Sequence, residues 1–186
     1  VDFLVFSAHK FHGPKGVGGL LVKKGNEFSP FGIVEGQERG RRGGTLNVLG
    51  IRGMYHALCR ANVYNFELVH SLKNKRDKFE ELILSEMDDV KRNGSLTNRL
   101  PQISNLQFQG INSEELLQSF TLVAASNGSA CNSSSILPSH VLLAVGCTAE
   151  EALSSIRFSF SFLTTDEEIE VGAKHVVDSI KKRWKR

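Results

Sequence analysis

The run Val1-Asp2-Phe3-Leu4-Val5-Phe6 constrains the fold most, because it reads as a buried strand with nothing before it. Such a strand needs sheet neighbours and covering layers from elsewhere. The chain also begins without methionine, so the expectation is the C-terminal part of a longer protein. Ser7 ends the run. Gly13, Gly16, Gly18 and Gly19 then punctuate a turn into Gly19-Leu20-Leu21-Val22, which predicts a hairpin-like return.

Downstream, residues 24–45 are loop-rich and carry Arg39, Arg41 and Arg42. A helical period runs from about 46 to 68 with Val48, Ile51, Met54, Leu58 and Ala61 on one face, and a second from about 70 to 90 with Leu72, Phe79, Leu82, Ile83 and Met87. Residues 91–101 read as a polar connector. Residues 104–109 alternate as a half-buried strand, and Asn112 opens a short helix through Phe120. Leu122-Val123-Ala124-Ala125 reads as another short strand. Gly146 stops a helix over 138–145. Thr148 with Glu151, and Thr165 with Glu168, cap two more helices on either side of a strand over 156–162. Strands alternating with helices predict an α/β or α+β architecture. A composition shift near residue 68 divides the chain into domains 1–68 and 69–186.

A chain of 186 residues with 40% hydrophobic content fills one ordinary domain or two partial ones. Its net charge of +3, with signs mixed, carries no polyanion footprint, so no nucleic-acid partner is expected. The basic end Lys181-Lys182-Arg183-Trp184-Lys185-Arg186 reads as a solvated helix terminus. No apolar stretch approaches the roughly 20 residues of a membrane helix, and no signal pattern is visible. Three widely spaced cysteines, Cys59, Cys131 and Cys147, predict neither a disulfide framework nor a metal site. A cytoplasmic protein fits best. Cys59, in an apolar helical pattern, and Cys147, after a helix-ending glycine, read as passive packing residues.

Cys131 differs. It follows Gly128-Ser129-Ala130 and precedes Asn132-Ser133-Ser134-Ser135, a run of small and polar residues that reads as a solvated loop. A thiol on such a loop is a candidate nucleophile. Lys10, in Ser7-Ala8-His9-Lys10-Phe11-His12-Gly13-Pro14-Lys15-Gly16, follows the first strand. Burial at a strand end equips a lysine amine to condense with a carbonyl. Ser7 and His9 suit phosphate contact, and Thr45, after a glycine pair, offers a hydroxyl and an N–H to the same kind of anion. The glycines near Lys15 do not make a Walker A motif.

In combination these segments resemble the cysteine desulfurases, the NifS/IscS-like group of the class V aminotransferases. Ser7 through Gly18 looks like the family's cofactor-lysine segment, and Gly36 through Val48 is similar to its next one. Gly128-Ser129-Ala130-Cys131 followed by Pro138-Ser139-His140-Val141-Leu142 matches its sulfur-accepting loop. Ser154 through Ser159 followed by Thr164 through Ile169 matches its C-terminal segment. The four matches occur in the family's order and span nearly the whole chain.

The resemblance implies a pyridoxal-phosphate-dependent transferase of fold type I, aspartate-aminotransferase-like. This chain would supply the C-terminal part of the large domain and the small α+β domain. It implies that Lys10 holds pyridoxal phosphate through its amine and later moves the substrate's Cα proton. Ser7 and His9 would anchor the cofactor phosphate, and Thr45 would reach the phosphate in the partner subunit of a homodimer. Arg157 would clamp the substrate carboxylate. Cys131 would take sulfur from L-cysteine as a persulfide, leaving alanine, and pass it to a scaffold-like sulfur-acceptor protein for iron–sulfur cluster assembly or another sink. Ser161 and Phe162 stand where the family usually has Gly and Arg, and Leu46 where many relatives have Glu. The family's N-terminal half lies outside this chain, so the chain alone is expected to be inactive. A selenocysteine lyase and a non-catalytic, partner-binding remnant remain alternative readings of the same residues.

Overall fold

β1 (Phe3–Ser7) and β2 (Gly18–Val22) form the antiparallel hairpin predicted by the glycine punctuation. The register runs from Phe3 opposite Val22 to Ser7 opposite Gly18. The computed structural model describes residues 1–30, 36–61, 66–127 and 137–184. The chain divides into two compact units, Val1–Tyr64 and Asn65–Arg186.

In the first unit the hairpin is a sheet of two strands. The buried strand expected at the N-terminus is a strand, but it is not buried within this chain. Val5 is 76% exposed and its neighbour Leu4 is 50% exposed. Successive residues point to opposite faces, so both faces are open. α1 (Val48–Arg60) starts at Asn47, whose Oδ1 accepts the Gly50 N–H at 3.0 Å. Its buried residues are Gly50 and Ala57. The expected apolar stripe is largely uncovered, with Val48 and Leu58 exposed. The small-residue side packs inwards instead, and a Cβ on Gly53 would sit 2.9 Å from the Pro14 ring.

The second unit holds the core. β3 (Val90–Arg92), β4 (Ile103–Phe108) and β5 (Ser155–Ser159) form an antiparallel sheet in that order. α2 (Phe66–Leu84) and α6 (Asp166–Trp184) contribute Phe79, Ile83, Ile169, Ala173, Val176 and Ile180 to one buried cluster with Leu106, Phe108, Ile156 and Phe158 of the sheet. Each of the larger of these side chains contributes about 2 kcal/mol when taken from water. The short helices α3 (Ser113–Ser119), α4 (His140–Ala144) and α5 (Ala149–Leu153) lie where the capping and stop signals predict them.

Two expectations need correction. Residues 122–125 are not a strand; the residue after them, Ser126, makes an isolated bridge with Arg157. The polar connector hides β3, a three-residue edge strand whose Val-Lys-Arg sequence is too short and charged to show a period of two.

Candidate active site

Lys10 stands on a 3-10 turn, Ala8–Phe11, that follows β1 directly. Ala8 is the pivot. Its side chain is fully buried, its N–H donates to Val17 O at 3.0 Å, and its carbonyl accepts the Gly13 N–H at 2.8 Å. A Cβ on Gly13 would lie 2.8 Å from that of Ala8, so glycine permits the closure. The turn buries Ala8 and directs His9 and Lys10 outwards. The expectation of a buried Lys10 is therefore not met within this chain, where both side chains are exposed. Ser7 is half-buried at the strand end, and its hydroxyl makes no capping bond to the turn. One exposed turn and its entry residue thus present an amine, an imidazole and a hydroxyl.

Thr45 is exposed in the segment that leads into α1. Arg42 shapes that segment by donating from Nη1 to the carbonyls of Gly44 at 3.0 Å and Thr45 at 3.3 Å. In the sequence Arg42 stands out only as part of a basic loop. The signal that could have exposed its role is its spacing from a glycine pair whose carbonyls lack helical partners.

Arg157 lies in the second unit, on β5, exposed and directly opposite Asn105 of β4. On its other side its N–H donates to Ser126 O at 2.7 Å and its carbonyl accepts the Ser126 N–H at 3.2 Å. No described carboxylate pairs with its guanidinium. Ser126 precedes Cys131 in the chain, and Cys131 itself lies outside the described residues. One groove of this unit, about 630 Å³, has mixed walls that include Phe79, Val123, Phe158, Thr164 and Glu168; Arg157 is not among them.

Comparison with known proteins decides the family. The profile of the aminotransferase class-V family matches residues 1–171. The chain belongs to the aminotransferase class-V family. Its class-V relatives include a cysteine desulfurase of Nostoc sp., 42% identical over 178 residues, which cover 91% of this chain and 43% of the relative. The cysteine desulfurase IscS of Pseudomonas putida is 41% identical, covering 98% of this chain and 45% of that protein. The chain therefore spans less than half the length of these relatives. Among solved structures, a NifS-like protein from Rickettsia africae superposes with a TM-score of 0.85 at 28% identity, covering 97% of this chain and 48% of that one. SspA, solved in complex with cysteine, superposes with a TM-score of 0.62 at 33% identity over 86% of this chain and 44% of its own. The fold is that of the pyridoxal-phosphate-dependent enzymes of fold type I, and the class-V family uses that cofactor. Among the described residues no helix is long and apolar enough to cross a membrane.

Proposed function

We propose that this chain is the C-terminal part of a pyridoxal-phosphate-dependent cysteine desulfurase that converts L-cysteine to L-alanine. Residues 1–68 would complete the cofactor-binding large domain and residues 69–186 form the small domain. One coincidence carries the reading. In a class-V chain whose relatives include proteins named cysteine desulfurase, Lys10 faces outwards after β1, while Arg157 is bonded to the segment that runs on to Cys131.

The donor set on the first turn fits the cofactor. A primary amine can condense with its aldehyde, and a hydroxyl and an imidazole can contact its phosphate. Lys10 would hold it, Ser7 and His9 would contact the phosphate, and Thr45 would reach the phosphate site of a second subunit in a homodimer. When bound, the cofactor supplies an electron sink. Lys10 moves the proton at the substrate's Cα. Arg157 binds the α-carboxylate, for which its planar two-pronged guanidinium is suited. Cys131, as a thiolate, takes the substrate sulfur as a persulfide and passes it to an acceptor protein. We propose iron–sulfur cluster assembly or another sink as the destination of that sulfur, and the cytoplasm as the compartment, where an unpaired reactive thiol persists.

The test uses the protein encoded by the full-length coding sequence, loaded with pyridoxal phosphate. Lys10→Ala is expected to lose the visible absorption of the lysine-bound cofactor and at least about 100-fold in alanine formation. Cys131→Ser is expected to keep the absorption and lose the persulfide, read by mass spectrometry. Turnover at the wild-type rate in Lys10→Ala would overturn the reading.

A further inference from the structure

One polar row crosses the β3–β4–β5 sheet on the face turned away from α2 and α6. The opposite face carries Leu106, Ile156 and Phe158 into the core. Asn93, just past β3, donates its N–H to Asn105 O at 2.9 Å. Asn105 is the register partner of Arg157, and Arg157 bridges to Ser126. Residues directly opposite in antiparallel strands hold their Cβ atoms about 5 Å apart on one face. The row therefore reads Asn93, Asn105, Arg157, Ser126.

Hydrogen-bond bookkeeping fixes which way the amides point. The Ser155 hydroxyl donates to the Glu151 carbonyl at 2.6 Å, which uses its only proton. It therefore accepts at its other contact, from Asn93 Nδ2 at 2.8 Å. The same Nδ2 donates to Asn105 Oδ1 at 2.7 Å. Asn93 Oδ1 in turn receives the Cys147 thiol at 3.7 Å, as a carbonyl oxygen should. Asn105 has thus committed its oxygen, and its NH2 edge is turned to other partners. Among the described residues nothing accepts from that NH2, and no carboxylate neutralises Arg157. Two donor groups stand at neighbouring positions on one face of the sheet, and no described side chain accepts from either. That is a site for an anion small enough to meet both.

We propose that the Asn105 carboxamide is a second binding group for the substrate's α-carboxylate, acting beside Arg157, and that Asn93 is the positioning residue that holds it donor-side out. The proposal rests on the desulfurase reading and on Arg157 as the carboxylate clamp. A carboxylate has about four lone-pair directions, so a bidentate arginine leaves room for one further donor. The ligand class is an amino acid with a free α-carboxylate.

The experiment measures steady-state kinetics of the full-length holoenzyme with L-cysteine. Asn105→Asp keeps the oxygen that Asn93 needs and replaces the donor with an anion. KM is expected to rise at least about tenfold, with kcat within about threefold and the cofactor absorption unchanged. Asn105→Thr, which removes the NH2 and keeps an oxygen, is expected to raise KM about threefold and serves if the aspartate variant does not accumulate. Adding Asn105→Asp to Arg157→Lys should cost less than it costs alone, since both changes act on one carboxylate. An active wild type with unchanged KM in both Asn105 variants, or a KM rise matched by equal loss of cofactor absorption, overturns the proposal and leaves the desulfurase reading standing. A wild type inactive on cysteine overturns both.

Discussion

Single residues divide by what surrounds them. Cys147 is half-buried, with its thiol directed at Asn93. Burial, together with the nearby Glu151 carboxylate, pushes its pKa above the ordinary thiol range. The thiolate is the reactive form, so Cys147 is held in its inert state at neutral pH. Cys59, by contrast, is exposed on α1. Iodoacetamide near pH 7 is expected to label Cys59 well before Cys147, with labelling of Cys147 accelerating only as the pH rises past its raised range; peptide mass mapping checks this. Equal rates at neutral pH would contradict it. In the sequence both cysteines read as packing residues. That holds for Cys147, where the residue type and its place after Gly146 carried the information. It fails for Cys59 because α1 buries its glycine and alanine side, and a helical period cannot say which side will find a partner.

Elements are held by signals of two ranges. The Thr148–Glu151 and Thr165–Glu168 caps form as read: Thr165 N–H donates to Glu168 Oε2 at 2.7 Å, and Glu168 N–H returns to Thr165 Oγ1 at 3.1 Å. Such caps span four residues, so sequence alone specifies them. The tie between α2 and the segment after β3 was invisible. Glu80 of α2 is 1% exposed and accepts from Arg99 at 2.5 and 2.8 Å, while Arg92 stands 3.6 Å away. Arg99→Ala would leave a buried carboxylate with one distant partner, and is expected to destabilise the second unit by about 3 kcal/mol in urea unfolding. A loss under about 1 kcal/mol would show that water reaches Glu80 easily. Beside it, burial raises the Asp77 carboxyl, but hydrogen bonds from Lys73 and Arg76 outweigh this and leave its pKa below the usual range. A lowered folded pKa means stability present above the ordinary aspartate range and lost as pH falls through the folded value. The network therefore weakens in acid.

At the scale of the whole molecule, the two units differ in how much they bury. The second has a cluster running from Phe79 to Ile180. The first has a two-stranded sheet with Phe3, Leu4, Val5, Leu20 and Leu21 all exposed. An isolated hairpin is marginal in water. Limited proteolysis of this 186-residue chain is expected to cut within residues 1–64 well before 66–127, as read by mass spectrometry; protection of the first unit equal to the second would refute this. Most of the elements, the caps, the hairpin and the family were legible in the order of residues, because these rest on local spacing and on motifs in fixed order. The folded chain was needed to show which helix side is covered, where three residues of Val-Lys-Arg find a strand partner, and that Asn93, Asn105, Arg157 and Ser126 share one row. Those outcomes depend on register between segments far apart in the chain, and register is written in no single stretch of it.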